Sequence, residues 1–336
     1  TASQYSRLPA SKKGPISFAS RPGGDWSTWS SPHDRSGAQI TSPSPRRYIE
    51  LRATLQTDRA DTAATLHSIL LELSDPVADG LTGEIFPVRI PASAATREFS
   101  YYVQPRFSAG QGFDEVLLTA TAGTRFDAVV RVRAGDEHDI GDATAAELST
   151  QVLVTGTDSL HLRLPRQVAA ADELLEVRFQ ATLYGNVGSF RGFARNSATG
   201  TWQRVDAGNA TELVHSSTVT VLVEGSQLIS DVGASTQVLT PNGDGINDEV
   251  AWRFAVTRLA TPTPVRLHIF DLSGRLVHRS QELRPDPRGS YELRWDGRHS
   301  GGTLVPPGVY LVRIEVDAQG PSAGYVARQQ LIRVVY

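Results

Sequence analysis

The stretch from Leu175 to Leu183, LEVRFQATL, alternates strictly between apolar and polar residues. Its odd-numbered positions hold Leu, Val, Phe, Ala and Leu, and its even-numbered positions hold Glu, Arg, Gln and Thr. Successive side chains of a β-strand point to opposite faces of the sheet. The stretch therefore predicts a strand with one buried face and one solvent-exposed face, as in the two packed layers of an antiparallel sandwich.

The same alternation recurs along most of the chain. It covers Ile49–Leu55, Leu160–Leu164, Val219–Val223, Val265–Ile269 and Tyr310–Val316. Clusters of Gly, Pro, Asp and Ser separate these stretches, and the pattern suggests only one short helix or turn, at Ala143–Thr150. Alternation of period two between short turns predicts an all-β protein made of tandem β-sandwiches.

Length and composition limit the class of protein. The 336 residues are enough for two or three domains, and 40% hydrophobic with 21% charged residues fits a folded chain. A net charge of −3 predicts no attraction to nucleic acid, and no apolar run approaches the ~20 residues of a membrane helix, so we expect no membrane insertion. Cys and Met are both absent. We expect Thr1 to be a processed end left by signal-peptide removal, although a trimmed chain would begin in the same way.

The segment Thr240–Glu249, TPNGDGINDE, has the composition of a calcium loop. Ca²⁺ takes about six to eight oxygen ligands, and closely spaced Asp and Asn residues separated by Gly wrap one ion. An Asx-rich turn without an ion fits the same residues, so both interpretations stay open. The predicted ligands are the side chains of Asn242, Asp244 and Asp248, the backbone carbonyl of Ile246, and Glu249 as a further ligand.

The residues that follow this loop resemble a known bacterial module. The segments 265–275 (VRLHIFDLSGR), 295–297 (WDG) and 307–314 (PGVYLVRI) are similar to strands and turns of FlgD-type immunoglobulin-like domains. The segment 240–248 resembles the opening of C-terminal modules on secreted proteins of gliding bacteria. Such modules are similar to type IX secretion sorting domains, which are usually removed on export, so a mature chain favours the structural module. The resemblance implies a secreted protein of the bacterial cell surface.

A second resemblance concerns the N-terminal part. The segments 16–23 (ISFASRPG), 26–30 (WSTWS), 40–43 (ITSP) and 47–52 (RYIELR) resemble the later strands of a jelly-roll domain of large bacterial extracellular proteins, in which further strands precede them. We therefore divide the chain into an N-terminal extension (1–14), a partial jelly-roll-like domain (15–74), a middle β-sandwich (75–228) and a FlgD-like immunoglobulin-like domain (229–336).

The apparent lack of strands in the jelly-roll-like part has a physical consequence. A sandwich without its full set of strands exposes unpaired backbone edges and an apolar face, which favours completion by another chain. We expect the subunit to self-associate into a filament or layer by strand complementation, with residues 1–14 as the donated segment. A compact short domain with an ordinary flexible tail fits the same sequence.

The sequence carries no recognisable catalytic signature. None of the eight histidines lies in an H-E-x-x-H pattern, and His161 and His268 fall on the solvent side of their strands. The run Asp136–Asp139 holds metal-ligating side chains but lies in a predicted hairpin tip. Gly320–Gly324 spells G-x-S-x-G, but between two strands rather than between a strand and a helix. We therefore expect a protein without enzymatic activity.

Two functions fit these features. The preferred one is a structural or adhesive subunit of the cell surface that contacts copies of itself or other surface proteins. The alternative is the non-catalytic, carbohydrate-binding region of a secreted hydrolase, because Trp rings stack on sugars. Trp26 and Trp29 are the candidates for binding polysaccharide, although a spacing of three puts them on opposite faces of a regular strand. Trp252 and Trp295 are assigned to the core of the last domain.

Overall fold

The computed structural model describes Pro9 and residues 26–336, except positions 34, 39, 44, 47, 60, 92–94, 143, 171–172, 215, 226, 260 and 318–324. The chain divides into two compact units, residues 1–43 and residues 44–336. In the first unit the described residues form neither helix nor strand. The extension predicted at residues 1–14 lies outside the described residues apart from Pro9.

The second unit begins with a segment that carries no strand. Among the described positions, residues 45–79 belong to no sheet, so the strand predicted at Ile49–Leu55 is wrong. The side chains of Ile49, Leu51 and Leu55 are 45%, 51% and 55% exposed. An alternating sequence forms a stable strand only where a neighbour pairs with its backbone and a second layer covers its apolar face. Among the described residues, no strand pairs with this segment and no second layer covers its apolar side.

The described residues between 80 and 224 form a β-sandwich. One sheet has the strand order β11-β1-β3-β8-β5, and the other has β2-β12-β9-β4-β7-β6, with β10 paired to β9. Neighbours are antiparallel except for β1 with β11 and β2 with β12. The elements are β1 (Gly80–Phe86), β2 (Arg89–Pro91), β3 (Arg97–Arg106), β4 (Phe113–Ala120), β5 (Thr124–Gly135), α1 (Glu137–Gly141), β6 (Gln151–Thr155), β7 (Ser159–Val168), β8 (Leu174–Leu183), β9 (Val187–Arg195), β10 (Trp202–Arg204), β11 (Asp206–Ala207) and β12 (Thr220–Glu224).

The stretch Leu175–Leu183 lies in β8 between β3 and β5, which confirms the strand predicted there, but Glu176 and Thr182 on its polar side are buried rather than solvent-exposed. Four phenylalanine rings meet between the two sheets, with centroids 5.2–5.9 Å apart. Each buried ring stabilises the sandwich by about 1.5–3 kcal/mol relative to an exposed one. The rings belong to Phe99, Phe126, Phe179 and Phe190.

A short helix lies ahead of the predicted segment, at Glu137–Gly141. Helix α1 follows Asp136, whose carboxylate accepts a backbone N–H of the first turn at 2.8 Å and so caps the helix. The run Asp136–Asp139 is therefore a helix start and not a hairpin tip. The helix predicted at Ala143–Thr150 is wrong for the residues described there. This segment lies alongside β5 instead, and Leu148 donates its N–H to the Val132 carbonyl at 2.8 Å.

The C-terminal part forms a second β-sandwich. Its sheets have the orders β13-β15-β18 and β14-β20-β19-β16-β17, and β14 runs parallel to β20. Trp252 and Trp295 are 0% and 1% exposed, which confirms their place in the core. Gly320–Gly324 lies outside the described residues. The all-β fold class is confirmed. The strands are β13 (Ile229–Ala234), β14 (Val238–Leu239), β15 (Val250–Val256), β16 (Val265–Asp271), β17 (Leu276–Glu282), β18 (Gly289–Trp295), β19 (Gly308–Asp317) and β20 (Tyr325–Val334).

Candidate functional site

The loop that joins β14 to β15 is closed by its own hydrogen bonds. The two carboxylate oxygens of Asp248 accept the backbone N–H groups of Gly243 and Gly245, each at 2.7 Å. These bonds hold the pKa of the Asp248 carboxyl below its ordinary value, because they stabilise the charged form. Gly243 and Gly245 have φ angles of +83° and +85°, a region that glycine enters without strain. The two glycines therefore permit the backbone turns that close the loop.

Two further side chains of the loop make Asx turns. Asn242 Oδ1 accepts the N–H of Asp244 at 3.0 Å, and Asp244 Oδ1 accepts the N–H of Ile246 at 2.8 Å. The carbonyl of Ile246 in turn accepts the hydroxyl of Thr240 at 2.8 Å. The structure thus brings the predicted side-chain ligands Asn242, Asp244 and Asp248 together in one closed loop.

The oxygen atoms of the predicted ligands match a calcium site only in part. A carboxylate, amide or carbonyl oxygen that accepts one N–H or O–H keeps a second lone pair for a cation. Glu249 differs from the other predicted ligands, because its carboxylate takes no part in the hydrogen bonds that close the loop and instead forms an ion pair with Arg294 Nη1 at 2.6 Å. Among the described residues, no group of three or more His, Cys, Asp or Glu side chains has the arrangement of a metal site. The predicted ligands whose oxygens lie in the hydrogen-bonded loop are Asn242, Asp244, Ile246 and Asp248.

The two tryptophans proposed for carbohydrate lie in the first unit. Trp29 is 49% exposed and Trp26 is partly buried. Neither belongs to a strand, so the expectation that a strand separates them onto opposite faces is wrong. The half-exposed ring of Trp29 has the chemistry to stack on a sugar.

A feature that the sequence analysis missed is a buried carboxylate on an outer sheet face. Glu115 of β4 is wholly buried and accepts hydrogen bonds from Arg163 Nε at 2.9 Å, Arg195 Nε at 2.7 Å and His161 at 3.2 Å. Burial opposes ionisation, but these bonds outweigh it and hold the pKa of Glu115 below its ordinary value. Arg195 also stacks on Trp202, 4.6 Å from the ring centroid.

The C-terminal sandwich repeats this arrangement at Glu315 of β19. Its buried carboxylate pairs with His268 at 2.9 Å and with Arg313 at 3.1 Å. His161 and His268 thus lie on the outer faces, as the alternation predicts, but as partly buried partners of carboxylates. Glu315 lies in the alternating stretch Tyr310–Val316, but only the pairing of strands distant in sequence shows which cations surround the two glutamates.

Two β-sandwiches in series, the second with an Asx-rich loop between β14 and β15, define a modular all-β protein. Residues 234–327 match the family model of the CHU_C type IX secretion signal domain. The chain is a secreted protein of the cell surface or the extracellular space. No helix among the described residues has the length and apolar character to cross a membrane. No curated protein matches the chain.

Several solved structures show similarity over about three-quarters of the chain. Dimeric latent PorU from Porphyromonas gingivalis is 15% identical, with a TM-score of 0.28 over 75% of this chain and 20% of PorU. The C-terminal domain of the AgI/II polypeptide BspA from Streptococcus agalactiae is 8% identical, with a TM-score of 0.29 over 76% and 98%. A tetra-tandem repeat from the extending region of a large adhesion protein is 14% identical, with a TM-score of 0.23 over 75% and 49%. The chain thus spans a fifth of PorU and about half of the adhesion repeat.

Proposed function

We propose that this secreted chain is a non-catalytic structural or adhesive subunit of the bacterial cell surface that assembles with copies of itself into a filament or layer. The observation that carries this proposal is the segment 48–74, called the arm from here on, whose described residues form no strand. Leu70 and Leu73 are 92% and 73% exposed, and Leu66, Ile69 and Leu71 are 42–52% exposed. So many exposed apolar side chains in one segment favour contact with another protein surface.

Assembly is tested on the purified full chain by light scattering and negative-stain microscopy over a range of concentrations. We expect ordered polymers above a critical concentration, because burial of the arm becomes favourable when a second copy is present. A chain that stays monomeric at every concentration contradicts the proposal.

Strand complementation by residues 1–14 stays a prediction about residues outside the described part of the chain. Deletion of residues 1–14 tests it separately. If these residues are the donated segment, the deletion abolishes the polymers. Unchanged assembly of the deletion variant excludes this role while leaving self-assembly intact.

Two finer features belong to the same proposal. The last domain is a FlgD-type immunoglobulin-like module, supported by the motifs at 265–275 and 307–314, which form the adjacent strands β16 and β19 with their turns. A calcium ion held by the loop side chains of Asn242, Asp244 and Asp248 rigidifies the start of this domain, since the loop already gathers those oxygens.

The second candidate function is the carbohydrate-binding region of a secreted hydrolase. The observation that favours it is the 49% exposure of Trp29 beside the partly buried Trp26. In this case the polysaccharide, rather than a second copy of the chain, is the partner.

A further inference from the structure

The outer face of the five-stranded sheet in the C-terminal sandwich carries a row of apolar side chains. Cross-strand pairing places Leu276 of β17 opposite Phe270 of β16, Phe270 opposite Leu311 of β19, and Leu311 opposite Leu331 of β20. Leu331 is 62% exposed and Leu276 is 45% exposed. Leu272, in the turn beside this row, is 75% exposed. A contiguous apolar row on the solvent side of a sheet marks an interaction surface.

The row continues into an open groove at the same end of the sandwich. The groove has a volume of about 260 Å³, and its lining includes Leu272, Arg275 and Val309. Val309 precedes Leu311 by two residues in β19 and therefore lies on the same outer face. The apolar row and this groove are together called the outer face from here on.

Basic residues surround the apolar row. Arg279, His268 and Arg313 form the adjacent row across the same strands, and Arg333 pairs with Val309. Glu315 occupies the next row and is buried against His268 and Arg313. Among the described residues, Arg279 and Arg333 form no ion pair. The outer face thus attracts an apolar segment that carries acidic residues.

We infer that the outer face of one copy binds the arm of a second copy. This inference rests on the proposed function and identifies the two surfaces through which the copies assemble. The arm is an exposed apolar segment of matching character on the same chain. Arg52 and Arg59 lie in the first half of the arm, whereas its apolar second half, residues 61–74, contains the acidic residues Asp61 and Glu72 and no Lys or Arg. Leu73 and Leu331 are both exposed within one chain, so neither covers the other there.

The dimensions of the two surfaces agree. The row Leu276–Phe270–Leu311–Leu331 crosses three gaps between strands, which is about 14 Å at the usual spacing of about 4.8 Å. An extended chain rises about 3.3 Å per residue, so the stretch from Ile69 to Leu73 spans about 13 Å. Ile69, Leu71 and Leu73 alternate with Leu70 and Glu72, so one side of an extended arm presents three apolar side chains to the row.

This contact joins two different surfaces of the same chain. A contact between unlike surfaces leaves one arm free at one end of every oligomer and one outer face free at the other. Further copies therefore add to a linear polymer, unless the two ends bind each other and form a closed ring. The geometry therefore predicts a filament in which the arm of each subunit lies on the C-terminal sandwich of its neighbour.

The test uses two full-length variants, Leu73→Arg in the arm and Leu331→Arg on the outer face. Both positions are exposed, so circular dichroism and melting temperature should match the wild type. We expect each variant alone to raise the critical concentration for polymers by about tenfold or more, since each loses the burial of a leucine. An equimolar mixture retains one intact arm and one intact outer face, so it should form dimers of twice the monomer mass and nothing longer. Mass photometry measures both results.

The matched control is Leu222→Arg, which places the same charge at a 42% exposed leucine of β12 in the middle sandwich and should polymerise like the wild type. If either test variant polymerises like the wild type, or the mixture stays monomeric, the inference is overturned while self-assembly through other surfaces stands. A wild type that never polymerises overturns the inference and the proposed function together.

Discussion

Arg133 Nη2 lies 2.7 Å from Glu176 Oε2 in the middle sandwich, and the two side chains are 3% and 0% exposed. The same guanidinium donates to the Ile140 carbonyl at 2.9 Å and so connects β5, β8 and α1. Glu176 also accepts the hydroxyl of Ser100 at 3.1 Å and Arg178 Nη2 at 2.9 Å. Burial opposes ionisation of Glu176, but the bonds from Arg133 and Arg178 outweigh it and lower its pKa.

Arg133→Met should destabilise the middle sandwich by about 3–5 kcal/mol, because it removes one partner of a buried ion pair. Urea unfolding followed by fluorescence measures the change. Arg89→Met is the control, since its pair with Glu224 at 2.8 Å has side chains that are 67% and 57% exposed and should contribute less than about 1 kcal/mol. Equal losses in the two variants would contradict the role assigned to Arg133.

Glu84→Gln should raise the melting temperature at pH 8 by a few degrees and change it little at pH 4. Glu84 is wholly buried; burial raises the pKa of its carboxyl above 4.5 despite a hydrogen bond from Thr211. The folded state therefore binds the proton more tightly than the unfolded state. The charged form destabilises the fold above the folded pKa, and this penalty fades as the pH falls toward 4.5.

The substitution Glu84→Gln isolates the charge, because the amide oxygen of the new side chain still accepts the Thr211 hydroxyl. Differential scanning calorimetry at the two pH values makes the comparison. A melting temperature that shifts equally at pH 8 and pH 4 would show that the charge of Glu84 is not the cause.

Calcium should raise the melting temperature of the C-terminal sandwich, and EDTA should reverse the rise. Binding to the folded state alone contributes about 2.7 kcal/mol at a calcium concentration one hundred times Kd. Asp248→Asn should abolish the response, because Asp248 supplies a predicted ligand. Glu249→Gln should keep it, because that carboxylate pairs with Arg294 instead. If EDTA leaves the melting temperature unchanged, the loop is an Asx-rich turn without an ion.

The carbohydrate-binding alternative predicts that the chain is retained on a polysaccharide column and that Trp29→Ala or Trp26→Ala abolishes retention. Loss of one stacked ring removes a contact of about 1 kcal/mol or more. Tyr48→Ala is the control, since Tyr48 is a 68% exposed aromatic residue of the arm. A wild-type chain that elutes with the void volume rules the alternative out for that polysaccharide.

The sequence predicted strands well where an alternating stretch pairs with neighbouring strands and a second sheet covers its apolar face. Leu175–Leu183 is such a stretch, because β3 and β5 flank it and a second sheet covers its apolar side. Ile49–Leu55 alternates equally well, yet its described residues lack a neighbouring strand. Alternation states which side chains share a face, whereas strand formation also depends on a partner that the stretch itself does not encode.

The part of the candidate calcium site that is formed by residues close together in the sequence could be predicted. Asn242, Asp244 and Asp248 act within a few residues of one another, and their spacing with glycine shows this in the sequence. The role of Glu249 depends on Arg294, which is 45 positions away. In the same way, the row of Leu311 and Leu331 exists only through the register of β19 with β20, which no local pattern specifies.

The parallel pairing of β14 with β20 determines how the C-terminal sandwich responds to tension. Val238 and Leu239 lie beside Arg333 and Val334, in strands that run in the same direction. A force that draws the start of β14 away from the end of β20 slides the two strands along each other and strains all their mutual hydrogen bonds at once, whereas an unzipping geometry would break them one by one. Under such a load, β14 should separate from β20 only when this short ladder ruptures as a unit.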